Sequence, residues 1–199
     1  MKQPLISCLC VTKNDEKMLD NTIKTFCNQT WKNKELVFVT VESNPYLDYI
    51  KSKTNDEIKL FVVEDGTTLG SQRNTTVQKA RGEYIIIWDD DDDFADERIE
   101  VMYNALVKQG ALCSLLSSVT MRNVSTGETS ESNLKFTFPA SMLAIKKEMP
   151  MYPSINFSED MAVMHYFNKP AIVKNKNIYT YNIHGKNTVP HEQLISYMK

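Results

Sequence analysis

The sequence predicts an α/β fold: a mostly parallel central sheet flanked by helices, followed by a smaller, more antiparallel region. Three observations predict it. Apolar runs at residues 5–12, 36–41, 58–63 and 84–88 alternate with segments of helical apolar spacing, a β-α-β-α-β-α-β order. These runs carry no turn residues, as expected of strands that crossover helices bury on both faces. Beyond residue 110 the runs become closely spaced around Ser, Thr and Gly, as in antiparallel hairpins.

Taken in order, residues 5–12 (LISCLCVT) are the first strand, and Lys13, Asn14 and Asp15 supply helix-capping side chains. Across residues 15–31, Leu19, Ile23, Phe26, Cys27 and Trp31 fall on one helical face that packs on the sheet. Residues 36–41 are a second strand closed by Glu42, Ser43 and Asn44, and Asn44 with Pro45 opens a short helix reaching residue 53. Residues 58–63 are a third strand. After the turn Glu64-Asp65-Gly66, Ser71 is placed to cap a helix that runs to Ala80 and ends at Arg81-Gly82. The central strand follows, then an amphipathic helix over 96–109 with Ile99, Met102, Tyr103, Leu106 and Val107 on one face and Gly110 as its stop. In the second half, residues 111–124 and 134–138 are predicted to pair around Ser125-Thr126-Gly127. Residues 141–145 read as a short strand, 158–168 as a helix and 171–183 as a strand. No internal repeat or low-complexity linker divides the chain, so residues 1–199 read as one domain.

The chain is organised around residues 83–93, EYIIIWDDDDD, where a buried strand runs into five aspartates. Such a cluster repels itself in a compact state unless counter-charge arrives, and a divalent cation, which takes carboxylate oxygens, is an economical source. The competing reading is a solvated acidic loop; the buried strand upstream favours a metal site. If strand geometry continues into the run, Asp89, Asp91 and Asp93 point one way and Asp90 and Asp92 the other. A helix-loop-helix calcium loop counted from Asp89 fails because Phe94 stands where glycine must make the turn.

Twenty-three basic against twenty-five acidic residues, net −2, offer no general attraction to nucleic acid or anionic membrane. A nucleic-acid partner is therefore not favoured. No apolar stretch approaches the roughly 20 residues of a membrane span, and the first residues make a poor signal peptide. The four cysteines read as free thiols, and a cytoplasmic location is expected.

With these residues in place, the chain resembles the family 2 glycosyltransferases of GT-A (nucleotide-diphospho-sugar transferase) fold from about residue 4 to about 188. Residues 5–14 resemble the first strand and its Pro-Thr-Tyr-Asn-like loop, and Asn28-Gln29-Thr30-Trp31 resembles Asn-Gln-Thr-Tyr. Arg73-Asn74 and Ala80-Arg81-Gly82-Glu83-Tyr84 are similar to Ala-Arg-Asn and Ala-x-Gly-Glu-Tyr. Trp88-Asp89-Asp90-Asp91-Asp92 with Arg98 resembles the Asp-x-Asp segment, Glu159-Asp160 the acidic pair of the acceptor side, and His184-Gly185-Lys186-Asn187-Thr188 the late His-Gly-x-Asn-Thr. Each motif is weak alone; their order and spacing are specific. In two respects the chain departs from the family. Val41-Glu42-Ser43-Asn44 stands where Asp-Asp-Gly-Ser is usual, and the chain is short for the family, which argues against a membrane-associated polysaccharide synthase.

The resemblance implies an inverting, metal-dependent transferase that moves a sugar from a UDP-sugar to a saccharide or other hydroxyl acceptor. Residues 1–110 would bind the donor and 111–199 the acceptor. It assigns Thr12, Asn14, Glu42, Arg73, Asp89 and Asp90 to the donor, and Asp91, Asp89 and His184 to Mn²⁺ or Mg²⁺. Asp160 becomes the base that takes the acceptor proton. Each assignment has a plainer rival. Helix capping accounts for Asn14, helix N-terminal acids for Glu159-Asp160, a surface role for Arg73 and a hydrogen-bonded ring for His184. His165 and His191 read as structural, and Tyr152, Phe157 and Tyr166 as core aromatics or as stacking platforms for a sugar. Two other functions use the same elements. A sugar-phosphate nucleotidyltransferase would need a Gly-rich loop, and residues 12–17 contain no glycine. A non-catalytic nucleotide- or glycan-binding module is the other.

Overall fold

The computed structural model describes residues 3–133 and 137–198. Its first half is β1 (Ile6–Val11), α1 (Glu16–Asn28), β2 (Lys34–Val41), α2 (Leu47–Ser52), β3 (Ile58–Val63), α3 (Leu69–Lys79) and β4 (Tyr84–Ile87). After it come β5 (Asp93–Phe94), α4 (Arg98–Gln109), β6 (Cys113–Leu116), β7 (Thr120–Asn123), β8 (Thr129–Glu131), β9 (Phe138–Ile145), α5 (Glu159–Tyr166), β10 (Ala171–Val173), β11 (Tyr179–Ile183) and α6 (His191–Ser196).

The main sheet has the order β10-β6-β9-β4-β1-β2-β3. β1 pairs in parallel with β2 and β4, and β2 with β3, while β9 inserts antiparallel between β4 and β6. Because side chains alternate along a strand, Ile6, Cys8, Cys10, Phe38 and Ile86 enter one core, and Leu9, Val37, Ile85 and Ile87 enter the other. This double burial is why the strands read as near-continuous apolar runs. A polar bolt crosses the sheet near its amino end: buried Glu35 accepts from Ser7 Oγ (2.6 Å), Arg81 N (2.6 Å) and Arg81 Nε (2.7 Å). A second, four-stranded sheet, β5-β11-β7-β8, carries the end of the aspartate run to the second half of the chain. No helix among the described residues is long and apolar enough to cross a membrane.

Local structure departs from the sequence expectations in five places. Thr68, not Ser71, caps α3 by accepting from Ser71 N (3.3 Å), so the helix begins two residues earlier than Ser71. The expected strand over 111–124 breaks into β6 and β7, which lie in different sheets, and β7 pairs with β8 rather than with residues 134–138. Residues 134–136 of that expected hairpin lie outside the described residues. The expected strand over 171–183 likewise splits at a 3-10 turn (Lys176–Ile178) into β10 and β11, again in different sheets. α6 had no counterpart in the sequence reading.

The fifth departure concerns the aspartates. β4 ends at Ile87 and the chain turns through residues 90–92, so strand alternation does not extend into the run. The cause is visible in the partners: each carboxylate is drawn to donors on a different element.

Candidate active site

A cavity of about 820 Å³ opens at the carboxyl ends of β1, β2 and β4. Thr12 and Asn14 follow β1, Val41 ends β2, Arg73 comes from α3, Asp89, Asp90 and Asp91 follow β4, and Asp160 lies in the first turn of α5; all line it. The sequence-predicted residues Thr12, Asn14, Arg73, Asp89, Asp90, Asp91 and Asp160 are thus brought together. Glu42 is not among them. It is exposed and outside the cavity wall, its backbone N held by Val63 O (3.1 Å), because β2 continues only to Val41 and the chain then turns outward. The buried side chain at this corner is Asn44, whose amide donates to Thr40 Oγ1 (2.6 Å) and Thr12 O (3.3 Å) and so fixes the β1 end.

The five aspartates have five different environments. Asp89 lies 3.4 Å from both Nη1 and Nη2 of Arg73; burial pushes its carboxyl up to about 6, with Arg73 resisting and Asp91 adding. Asp90 accepts from Thr12 Oγ1 and from Asn14 Nδ2 (2.8 Å). Burial, then the Asp91 charge, push it up to about 7 against these bonds. Asp15 caps α1 through Met18 N (3.2 Å), which leaves Asn14 free for Asp90. Asp92 is fully buried and accepts from Tyr179 Oη (2.6 Å) and Asn182 N (2.8 Å), its carboxyl raised chiefly by burial. Asp93 is bound by Asn21 Nδ2 (2.7 Å) and by the guanidinium of Arg122. Asp91 meets one side chain, the ring of His184, with Oδ2 3.0 Å from Nε2.

The His184 ring is oriented by Lys186 N, which donates to Nδ1 (3.2 Å). A neutral imidazole that accepts at Nδ1 carries its proton on Nε2, so His184 donates to Asp91 in this arrangement. It becomes a metal ligand through Nε2 only by exchanging the Lys186 contact, because a ligating imidazole donates from its other nitrogen.

Among the described residues, no three His, Cys, Asp or Glu side chains converge as a ready-made metal cage. The donor set still fits Mg²⁺ or Mn²⁺. Such ions favour hard oxygen ligands and are commonly held by one or two carboxylates plus the phosphates of a substrate. Asp91 and Asp89 on the cavity wall supply that number.

Across the cavity, Ser158 adopts φ 60°, a left-handed conformation that non-glycine residues rarely take, and starts α5. The turn sends the acidic pair two ways. Glu159 is buried and accepts from Arg73 Nε (2.9 Å), while Asp160 faces the cavity with Oδ1 on Met161 N (2.8 Å). Burial raises the Asp160 carboxyl above its ordinary value and Arg73 pulls it down in part. The sequence reading missed Glu159 as the partner of Arg73, and Tyr179 and Asn182 as the donors holding Asp92. A carboxylate needing a partner was the only signal, and nothing local names that partner.

Sheet order, the antiparallel β9 and the carboxylate-lined cavity define an α/β protein of the GT-A class. The family model for glycosyl transferase family 2 matches residues 7–174. The chain belongs to glycosyl transferase family 2. Among its relatives are an uncharacterized glycosyltransferase of Haemophilus influenzae, 30% identical over 112 residues covering 54% of this chain and 44% of the relative. Another is a cholesterol galactosyltransferase of Borreliella burgdorferi, 32% identical over 102 residues covering 50% of this chain and 28% of the relative. The chain thus spans less than half the length of these relatives. Among solved structures, TarS of S. aureus in complex with UDP-GlcNAc is similar with TM-score 0.68 and 17% identity, over 94% of this chain and 60% of that one. GalNAc-T7 with UDP, GalNAc and Mn²⁺ is similar with TM-score 0.69 and 14% identity, over 90% of this chain and 43% of that one. At these identities the structural likeness speaks for the fold.

Proposed function

We propose that this chain transfers a sugar, with inversion, from a UDP-sugar to an acceptor hydroxyl in a reaction that needs Mn²⁺ or Mg²⁺. One observation carries the reading: the donor-side residues Thr12, Asn14, Arg73 and Asp89 to Asp91 line one cavity together with the acceptor-side carboxylate Asp160. Its volume lies within the range of small-molecule sites, about 300–1,000 Å³.

Asp160 receives the proton of the acceptor hydroxyl as its oxygen attacks the anomeric carbon, and the bond to the diphosphate breaks on the opposite face. Burial raises the Asp160 carboxyl above its ordinary value, which strengthens it as a base. Arg73, held cationic by Asp89, Glu159 and Asp160 against the cost of burial, turns its free N–H groups toward a phosphate oxygen. Thr12 and Asn14 fix Asp90, and with it the floor beneath the nucleotide. Asp91 and Asp89, with His184 beside them, would hold the cation, which when bound would offset the charge that grows on the leaving diphosphate. The UDP ligands of TarS and GalNAc-T7, and the Mn²⁺ of the latter, support the donor and metal chosen here.

The test is calorimetric titration of UDP with Mn²⁺ and again with chelator, together with a hydrolysis screen over UDP-, GDP- and TDP-sugars. Binding of UDP that requires the metal is expected. Failure of every nucleotide sugar to bind, with or without metal, would sink the proposal.

A further inference from the structure

Arg73 occupies an unusual position between the two halves of the cavity. Its Nε is committed to Glu159 at 2.9 Å, whereas both Nη groups lean on one oxygen of Asp89 at 3.4 Å, longer than a good charged hydrogen bond. A guanidinium has five N–H groups. Two of those on the Nη atoms have no acceptor among the described residues, and Arg73 lines the cavity. An incoming phosphate oxygen would take them and draw the fork away from Asp89 while Nε stays on Glu159.

Glu159 passes such a movement on, because it is adjacent to Asp160 in a turn whose backbone is already constrained at Ser158. Residues 152–156, which lead into that turn, are zipped to the first turns of α3, the helix that carries Arg73. Leu69 N donates to Asn156 Oδ1 (2.8 Å), Gly70 N to Ile155 O (3.0 Å), and Ser71 Oγ meets Ser154 Oγ (3.0 Å). Asn74 clamps Tyr152 through both its backbone groups, at 2.9 and 2.8 Å. Tyr152 itself is buried with its hydroxyl unpartnered among the described residues, so its polar hold on α3 runs through its backbone.

We propose that Glu159 is a positioning residue that ties Arg73 to the acceptor-side turn, so that binding of a nucleoside diphosphate and placement of Asp160 are coupled through one guanidinium. This rests on the reading of the cavity as a nucleotide-sugar site.

UDP with Mn²⁺ is the probe, and hydrogen exchange of residues 152–160 is the readout, with UDP affinity measured in parallel by calorimetry. In the wild-type chain UDP is expected to slow exchange of this segment about fivefold or more, the lower end of an ordinary coupling between sites. In Glu159→Gln the slowing should fall below about twofold while the UDP dissociation constant stays within about threefold. Arg73→Lys, which keeps the charge and loses the fork, should also abolish the slowing. Unchanged slowing in Glu159→Gln overturns the inference and leaves the donor assignment standing. So does a loss of UDP affinity in step with the loss of slowing, since that marks a merely structural role. If UDP does not bind the wild-type chain at all, both the donor assignment and the inference fail.

Discussion

Gly70 offers the sharpest perturbation of the site that touches none of its chemistry. A Cβ built on Gly70 would stand 1.9 Å from Pro153 O, a backbone atom, where ordinary contact begins near 3.4 Å. In Gly70→Ala the 152–156 segment must therefore withdraw from α3 by about 1.5 Å, or α3 must tilt by as much. The nearest bond to be lost is Gly70 N to Ile155 O, and the Leu69 and Ser71 contacts flank it. Overpacking of this kind costs about 1–3 kcal/mol of stability. The larger effect is on rate, because the same segment sets Asp160. A misplacement of about 1 Å costs about 10²-fold, equivalent to about 2.7 kcal/mol of activation free energy. The assay is hydrolysis of the UDP-sugar that the screen identifies, compared with UDP binding and with urea denaturation. Turnover within about threefold of wild type in a folded Gly70→Ala protein would refute the claim that this zipper places the base.

Further outcomes are expected at Asp160, at Glu35 and at the aspartate run. Asp160→Asn should lower turnover about 10²- to 10⁴-fold with little change in UDP binding. Because burial raises the Asp160 carboxyl, the acid limb of the wild-type pH–rate profile should fall off above the usual carboxylate value of 3.8; a limb at or below it contradicts the role. Glu35→Ala should cost about 2 kcal/mol in denaturant unfolding, because it takes the acceptor from Ser7 Oγ and Arg81 N, while the Arg81 charge, 59% exposed, is left to solvent. The Glu35 carboxyl is held below its ordinary 4.5, its bonds to Ser7 and Arg81 outweighing burial. Its stability contribution is therefore present above that value and lost as pH falls through the lowered one; equal acid sensitivity of wild type and variant would contradict this. Asp89 and Asp90 titrate the other way. The folded state holds their protons up to about 6 and about 7 where the unfolded state releases them near 3.8, so their contribution falls as pH rises across that window and stays low beyond it. Mn²⁺ held by Asp91 and Asp89 would compete with the Asp89 proton and should raise the melting midpoint at about pH 8 and lose the effect near pH 5, by scanning calorimetry; an equal shift at both would contradict it.

Much of this was legible in the sequence because its signals are local. Apolar period and turn residues placed the four parallel strands and their helices, Gly110 ended α4 at φ 59°, and ordered motifs picked seven of the residues that share the cavity. The misses are long-range. Residues 111–124 and 171–183 are each one apolar run, and nothing in a run states that its halves join different sheets; partners distant in sequence decide that. Thr68 and Ser71 are both capping residues, and Ser71 loses because its own N–H is the donor that Thr68 accepts. Glu42 is assigned to the donor by its place in a motif alone; the strand end at Val41 is as expected, but a motif position does not state which way the turn after it carries the side chain.

The aspartate run shows how partners distant in sequence also settle a chemical question that alternation could not. A cluster of five acids was expected to need an outside cation, yet the fold supplies counter-charge and donors for four of them. Arg73 from α3 faces Asp89, and Arg122 from β7 binds Asp93. Thr12 and Asn14 bind Asp90, and Tyr179 and Asn182 bind Asp92. Behind the run, Arg98 of α4 is fully buried against Phe94 (4.0 Å), Tyr179 (4.7 Å) and Trp88 (5.0 Å), and its Nη2 holds Ile87 O at 2.9 Å. Asp91 is left with one oxygen on His184 and the other without a donor among the described residues, on a side chain 22% exposed to the cavity. It is the carboxylate whose charge the protein compensates least, so a cation gains most there. Asp91→Asn should therefore remove the Mn²⁺-dependent rise in melting midpoint, while Asp93→Asn, whose charge is already met by Arg122, should keep it. Retention of the Mn²⁺ effect in Asp91→Asn, or its loss in Asp93→Asn alone, would move the metal away from Asp91.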